Sequence, residues 1–483
     1  MTARKARLSS SARALANSFA ALRAELQIPA EYPADAVAEA ERVIASGVAV
    51  DGSDEARVDL ESVPFFTIDP EGSRDLDQAM HLERDGDGYV VQYAIADLAA
   101  FIAPGGALDA ATRERGQTLY APDGSTGLHP EQIAADAASL LPEQRRRAYV
   151  WRFALGSDGR VADTRLVRAW VRSRRRWAYA EVQELLDAGS APEGLRLLAE
   201  IGALRIEVEA ERGGASLRMP EEEIVEVDGQ FELRARATLA AEDANAQISL
   251  MTGMAAAELM LRAKVGVLRT MPPADQDAID EFRRRVALLD RPWGPDISYG
   301  EYLRRQDPAD NATPAVMQAA TALFRGAGYE AFDGAPPEQT VQSAIAAPYS
   351  HATAPLRRLV DRYVLAICDA EANGTPIPEW ARAALPQLPK IMGRSGQLAS
   401  RLENGCVARV EAAVLSHRIG DELVAVAVSR VGGGTRVQIA TPFVTAEVEG
   451  EPELGSIVRV RVESADIAEG TVALSLVGAS ARE

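Results

Sequence analysis

The chain has 483 residues, 47% hydrophobic and 25% charged, a globular composition too long for one ordinary core, so two to four domains are expected. Its 52 basic and 71 acidic residues leave a net charge of −19, which speaks to solubility, while binding depends on where the charge sits. Two cysteines, Cys368 and Cys406, exclude a disulfide framework or a Cys-based zinc site, and His81, His129, His351 and His417 show no ligand spacing.

In chain order, residues 1–62 read as a helical unit. Ser9, Ser10 and Ser11 can cap a helix whose Leu15, Phe19, Leu22 and Leu26 share one face. Pro29 and Pro33 end it, and Asp35 starts a second helix through Val37, Ala40 and Val43 that stops at Gly47. A helix-turn-helix-like unit and a plain capping bundle are both compatible with this pattern. Met1 to Leu8 lacks the apolar core of a signal peptide and no run reaches the length of a membrane span, so a cytoplasmic location is expected.

From Val63 the texture changes to short strands, the plainest being Tyr89 to Ala96 and Tyr149 to Leu155. From Ala178 to Arg409 helical periods dominate, as in Val182 to Leu186 and Leu359 to Ala370. Strands and helices without regular alternation predict an α+β body. After Glu411 five short strands follow, at 423–428, 435–439, 444–448, 457–462 and 471–476, with Gly432-Gly433-Gly434 at one turn. That pattern fits a small OB-type barrel, a fold that often carries single-stranded nucleic acid by aromatic stacking, although Phe443 is its one aromatic.

Lysine occurs only at Lys5, Lys264 and Lys390, and arginine is clumped at 145–147, 172 with 174–176, 283–285 and 357–358. The planar guanidinium pairs with phosphate in a bidentate fork, while solvated helix faces are the plainer reading of any one clump.

Two stretches carry chemistry. Val63-Pro64-Phe65-Phe66 reads as a buried strand opening into Thr67-Ile68-Asp69-Pro70-Glu71-Gly72-Ser73-Arg74-Asp75-Leu76-Asp77-Gln78. Pro70 and Gly72 allow a return that brings Asp75 and Asp77 beside Asp69. Such a carboxylate cluster suits a hard cation like Mg²⁺, with substrate phosphate and water completing its shell, and a solvated acidic turn is the alternative. In the second stretch, Tyr349 to Asp361, Thr353 can cap a helix with Pro355 in its first turn, which would set Arg357 and Arg358 at a positive helix end.

Together with Ala94-Ile95-Ala96-Asp97 and Gly214-Ala215-Ser216-Leu217, these stretches make the region from Val63 to Val410 resemble the ribonuclease II (RNB) family. The resemblance implies an RNB body at 63–410 behind the N-terminal helices and ahead of an OB-fold RNA-binding barrel at 411–483. It implies a processive, Mg²⁺-dependent 3′-to-5′ exoribonuclease that degrades single-stranded RNA to nucleoside 5′-monophosphates, with Mn²⁺ able to substitute for Mg²⁺. A monomer without an obligatory protein partner is expected. Carried over by resemblance, Asp69, Asp75 and Asp77 are the catalytic and metal-binding aspartates, and Arg357 grips the scissile phosphate with Arg358 beside it. Tyr120, in Thr118-Leu119-Tyr120-Ala121-Pro122, is the aromatic clamp on the terminal nucleotide, and Glu403 resembles a carboxylate near its ribose. The departures are Gln78 where the family has a fourth aspartate, a ligand able to offer only a neutral carbonyl, and Leu268 where it has a second stacking aromatic. About sixty helical residues also stand in place of the usual cold-shock barrels. These departures leave open a catalytically weakened RNB-fold RNA-binding protein.

Overall fold

The computed structural model describes residues 10–215, 221–227, 230–236, 238–307, 312–439 and 444–479, so Ser9, Ser216, Leu217 and Phe443 lie outside the described residues. The two N-terminal helices form as the apolar spacing requires, α1 at Ser10–Glu25 and α2 at Ala34–Ser46. Gly47 ends α2 in the left-handed region at φ 67°, its N–H bonded to Ile44 O at 3.1 Å. They do not share a core. Leu15, Phe19 and Leu22 of α1 pack with Leu402, Cys406 and Val410, whereas Ala36 and Ala40 of α2 sit among Phe101, Leu108 and Ile133.

Six strands build the central sheet. They are β1 (Val58–Asp59), β2 (Phe65–Asp69), β3 (Gln78–Asp85), β4 (Gly88–Ala96) and, after α3 (Ala107–Arg115) and the hairpin β5 (Leu119–Ala121) and β6 (Gly124–Thr126), β7 (Arg145–Leu155) and β8 (Val161–Ala178). The order is β1-β8-β2-β3-β4-β7, and β7 pairs back onto β8, so the long β8 bridges the two ends of the sheet. β2 runs parallel to the last part of β8, with Asp69 opposite Ala178.

The arginine runs at 145–147 and 172–176 lie in strands, which corrects the helix-face reading. Arg145 stands opposite Arg172 in the register, and the runs continue into buried Ala148 and Val150 on β7 and flank buried Val171 and Ser173 on β8. Their charges are matched by acids: Arg145 and Arg172 both bond Glu61, at 2.6 and 2.5 Å.

The remainder of the body is helical. Helices α4 (Tyr179–Asp187), α5 (Glu193–Arg212) and, past the hairpin β9 (Glu221–Val227) and β10 (Gln230–Arg236), α6 (Ala240–Ala263) join the sheet around buried Tyr93, Tyr149, Trp151 and Phe153. Strand β11 (Val265–Thr270) pairs with β12 (Gly328–Asp333) across the small helical cluster α7 (Gln276–Leu288), α8 (Tyr299–Arg304) and α9 (Thr313–Ala320). The short pair β13 (Val341–Gln342) and β14 (Ala347–Pro348) leads to α10 (Leu359–Ala372), α11 (Glu379–Ala384) and the 29-residue α12 (Leu388–Ser416). No helix among the described residues is long and apolar enough to cross a membrane. Both cysteines are buried free thiols.

The five C-terminal strands close into a barrel: β15 (Glu422–Val431), β16 (Gly434–Ile439), β17 (Val444–Glu449), β18 (Ile457–Asp466) and β19 (Thr471–Ala479). Alternation fills it, since Val437, Ile439, Val444, Val458, Val460 and Val462 point inward while polar residues between them face out. Helix α12 anchors the barrel through Leu415 in its core and Glu411, whose carboxylate accepts the Thr445 N–H at 2.8 Å.

Candidate active site

The acidic turn forms because β2 runs on to Asp69 and Pro70 then stops it. Ser73 N–H donates to Pro70 O at 3.2 Å, and Gly72 sits at φ 84°, where a side chain would be strained. The next residues are pinned from a distance. Ser139 Oγ donates to Arg74 O (2.6 Å) and accepts from Leu76 N–H (2.9 Å), Leu140 N–H donates to Leu76 O (3.0 Å), and Arg176 donates to Ser73 O (2.6 Å). With the Leu76 side chain buried between them, Asp75 and Asp77 are held at fixed positions on either side.

Five of the expected residues meet here. Asp77 is 4% exposed; its Oδ1 accepts the Leu356 N–H at 2.7 Å and its Oδ2 lies 3.5 Å from Arg357 Nε. Burial dominates its electrostatics and pushes the carboxyl up to about 8, although Arg357 and the Leu356 N–H pull the other way. Asp69 is pushed up to about 7, first by burial and then by the Asp75 carboxylate, against Arg357 and Arg176. Tyr120 Oη approaches Asp75 Oδ2 at 3.4 Å while the residue stays 54% exposed, so its ring is open to a stacking partner. Arg357 is likewise open, its side chain 47% exposed.

The other expected residues have different surroundings. Gln78 Nε2 donates to Thr353 O at 2.6 Å and its Oε1 accepts from Tyr93 Oη at 2.9 Å, so the amide ties β3 to the 353–358 turn. A cation there could use only the second lone pair of that carbonyl. Arg358 gives its fork to Asp361, with Nε and Nη2 at 3.0 and 2.9 Å from the two carboxylate oxygens. Its side chain is 19% exposed. Glu403 is exposed on α12, beside Leu402 and Cys406, which pack against Leu119 next to Tyr120. Leu268 is fully buried in β11 and presents nothing to a base.

The expected helix cap at Thr353 is absent, and α10 begins six residues later at Leu359. The reason is local. Arg358 adopts extended backbone (φ −132°, ψ 125°) and bridges antiparallel to Gln117, so residues 354–358 form a turn. Asp361 closes it by accepting the Ala354 N–H at 2.7 Å. Sequence reasoning missed Asp361, Ser139, Arg176 and Tyr93. Only Asp361 left a trace, its spacing of three from Arg358.

Among the described residues, no group of three His, Cys, Asp or Glu side chains converges closely enough to hold a metal ion. A hard divalent ion needs only one or two protein carboxylates when substrate oxygens and water complete its shell. Asp69 and Asp75 form such a pair, close enough that the Asp75 carboxylate adds to burial in pushing the Asp69 carboxyl up, and a cation between them would relieve that repulsion. The residues therefore fit the ion.

These shifts set a pH dependence. Each raised carboxyl binds its proton more tightly folded than unfolded, so the stability it contributes is complete below the unfolded value near 3.8 and is lost as pH rises towards about 7 for Asp69 and about 8 for Asp77. In chelator, unfolding free energy should fall with pH across this window, by up to about 1.4 kcal/mol per pH unit per group. Urea titrations from pH 5 to 8 check it. A flat profile, or one unchanged in Asp69→Asn and Asp77→Asn, refutes it.

Comparison with known proteins follows the same lines. Residues 57–370 match the RNB domain and residues 421–477 the RNase II-type exonuclease C-terminal S1 domain. Ribonuclease R of Escherichia coli (strain K12) is 28% identical over 324 residues, 63% of this chain and 39% of that protein. The chain spans less than half the length of the curated relatives it matches. Among solved structures, Mycoplasma genitalium RNase R in complex with ribose methylated single-stranded RNA aligns with a TM-score of 0.85 at 17% identity, covering 96% of this chain and 78% of that one. Yeast Ssd1, a pseudonuclease, aligns at 0.71 and 17%, covering 82% and 51%. At such identities the likeness establishes the fold alone. A match to the RNB domain over well more than half of the chain, with the S1 domain behind it and the acidic turn inside it, makes this chain a member of the RNB family.

Proposed function

We propose that this chain is a 3′-to-5′ exoribonuclease that hydrolyses single-stranded RNA processively to nucleoside 5′-monophosphates. One observation carries the reading: Asp77 and Arg357, 280 residues apart in sequence, meet over an acidic turn with an open tyrosine beside it. Arg357 offers an exposed fork to the scissile phosphate and offsets charge that builds on it. Tyr120 stacks on the terminal base. Asp69 and Asp75, with the buried Asp77 beside them, would hold a divalent cation, Mg²⁺ or Mn²⁺, and such an ion would supply activation of a water and neutralisation of the leaving oxygen. The Leu356 N–H and the Gln78 amide keep the two halves of the site in register, so that Asp77 faces the phosphate grip. The barrel, its strands lying between Glu422 and Ala479, contributes strand binding, the N-terminal helices a cap, and Glu403 a ribose contact.

The test is 5′-labelled single-stranded RNA with Mg²⁺: a ladder that shortens from the 3′ end supports the reading, and intact RNA across a Mg²⁺ and Mn²⁺ titration refutes it. A second reading, an RNB-fold protein that binds RNA without cleaving it, is favoured by Gln78, whose amide is already bonded on both sides. It expects a gel shift with no shortening.

Tyr120→Ala should weaken RNA binding by about 1–3 kcal/mol, seen as a raised KM with kcat less affected, because an exposed stacking ring is lost. An unchanged KM would remove Tyr120 from the binding site.

A further inference from the structure

The strand that ends in Asp69 has a second use on its other side. Phe66 borders a cavity of 350 Å³ whose sheet wall is completed by Leu82 and Trp177 and whose far wall is the first turn of α5, Pro192 to Leu195. Nothing in the cleavage reading draws on it. The Arg175 guanidinium carbon lies 3.4 Å from the Trp177 ring centroid, and Phe66 stands directly across from Arg175 in the β2–β8 register. This is a surface of flat groups on which a planar heterocycle stacks.

The polar lining suits the rest of a nucleotide. Arg174 and Arg175 also border the cavity, with side chains 40% and 55% exposed. Arg174 bonds Glu61 O through Nη2 and pairs with the Glu143 carboxylate through Nη1 at 3.5 Å, and Arg175 bonds Glu181 through Nη2, so each five-donor fork keeps some N–H groups for phosphate while its acidic partners must yield part of the charge. The first turn of α5 borders the same cavity; its Leu195 and Arg196 N–H groups are taken by Pro192 O at 3.1 Å each, and the Glu193 and Gly194 N–H groups precede the first such bond. A Cβ at Gly194 would come 2.9 Å from Phe66 Cε1, so glycine is what lets the helix end approach the ring. Glu83 and Glu193 complete the lining with His81, and as acceptors they match ribose hydroxyls while opposing a second anion. The volume accommodates one small ligand, not a strand.

We propose that this cavity binds one nucleoside 5′-monophosphate, its base against Phe66 and the Arg175–Trp177 stack and its phosphate on Arg174 and Arg175. The proposal rests on the exoribonuclease reading only for the source of the ligand, which is the product class of that reaction. Since Phe66 is three residues from Asp69 on one strand, occupancy is mechanically close to the acidic turn without blocking it.

Calorimetric titration of the full chain with AMP in chelator tests this. One saturable site is expected, weakened at least about tenfold in the Arg174→Ala/Arg175→Ala double variant and also in Phe66→Leu, with thermal unfolding of the double variant unchanged. Oligoadenylate bound beforehand to Asp77→Asn should leave AMP binding intact. The proposal is overturned by absence of saturable binding, by binding indifferent to the double variant, by displacement of AMP with oligoadenylate, or by inorganic phosphate binding as tightly as AMP. The titration needs no turnover, so an inactive enzyme and an empty cavity give separate results.

Discussion

Asp77→Asn is expected to lower the rate of RNA hydrolysis by on the order of 10³-fold while leaving RNA affinity nearly unchanged. The substitution keeps shape and removes charge. The amide oxygen can still accept the Leu356 N–H, now made at 2.7 Å, so the 353–358 turn has no reason to move. What changes is the other edge, where an amide NH₂ would face Arg357 Nε across the present 3.5 Å and no anion remains to share with a cation. Because Asp77 is buried, it contributes little surface to the strand itself. Single-turnover cleavage and filter binding on one RNA separate the two quantities. Cleavage within tenfold of the parent would remove Asp77 from the catalytic centre.

Asp361→Ala is expected to destabilise the fold by about 3–5 kcal/mol, the largest stability effect foreseen at the site. The lost carboxylate is fully buried and satisfies both the Arg358 fork and the Ala354 N–H. Removing it leaves a largely buried guanidinium without a counter-charge, one whose pKa the carboxylate now holds above the ordinary arginine value against the pull of burial. Arg357→Ala provides the contrast. Its half-exposed side chain should cost less than about 1 kcal/mol of stability yet lower kcat by about 10²-fold or more. Denaturant midpoints with cleavage rates decide the matter. Equal stability losses in Asp361→Ala and Arg357→Ala would mean that the two neighbouring arginines have not divided their work.

That division was hidden in the sequence. Arg357 and Arg358 are adjacent and chemically identical, and only the partner across the turn distinguishes a free fork from an occupied one. The helix start was misplaced for a related reason: Thr353 and Pro355 have the local chemistry of a cap, but the pairing of Arg358 with Gln117 and the reach of Asp361 to Ala354 are tertiary effects that override it. Local patterns gave the acidic turn, because Pro70 and Gly72 act within a few residues, and the C-terminal barrel, because alternation of valines declares its inward face. The arginine strands were obscured by charge. Arg172 sits one residue from buried Val171 and Arg145 three residues before buried Ala148, and Glu61, far off in sequence, neutralises both. Gln78 was legible as a departure, whereas its bonds to Tyr93 and Thr353 depend on chain segments that meet only when folded.

Helix α12 links parts that the sequence keeps far apart. Near its middle, Leu402 and Cys406 support α1 and the hairpin bearing Tyr120, and at its end Leu415 and Glu411 carry the five-stranded barrel. At 1.5 Å per residue it is a shaft about 40 Å long. A strand gripped by the barrel and a nucleotide held at Tyr120 would thus share one rigid lever, so tension on the incoming chain would be felt as torque at the stacking ring.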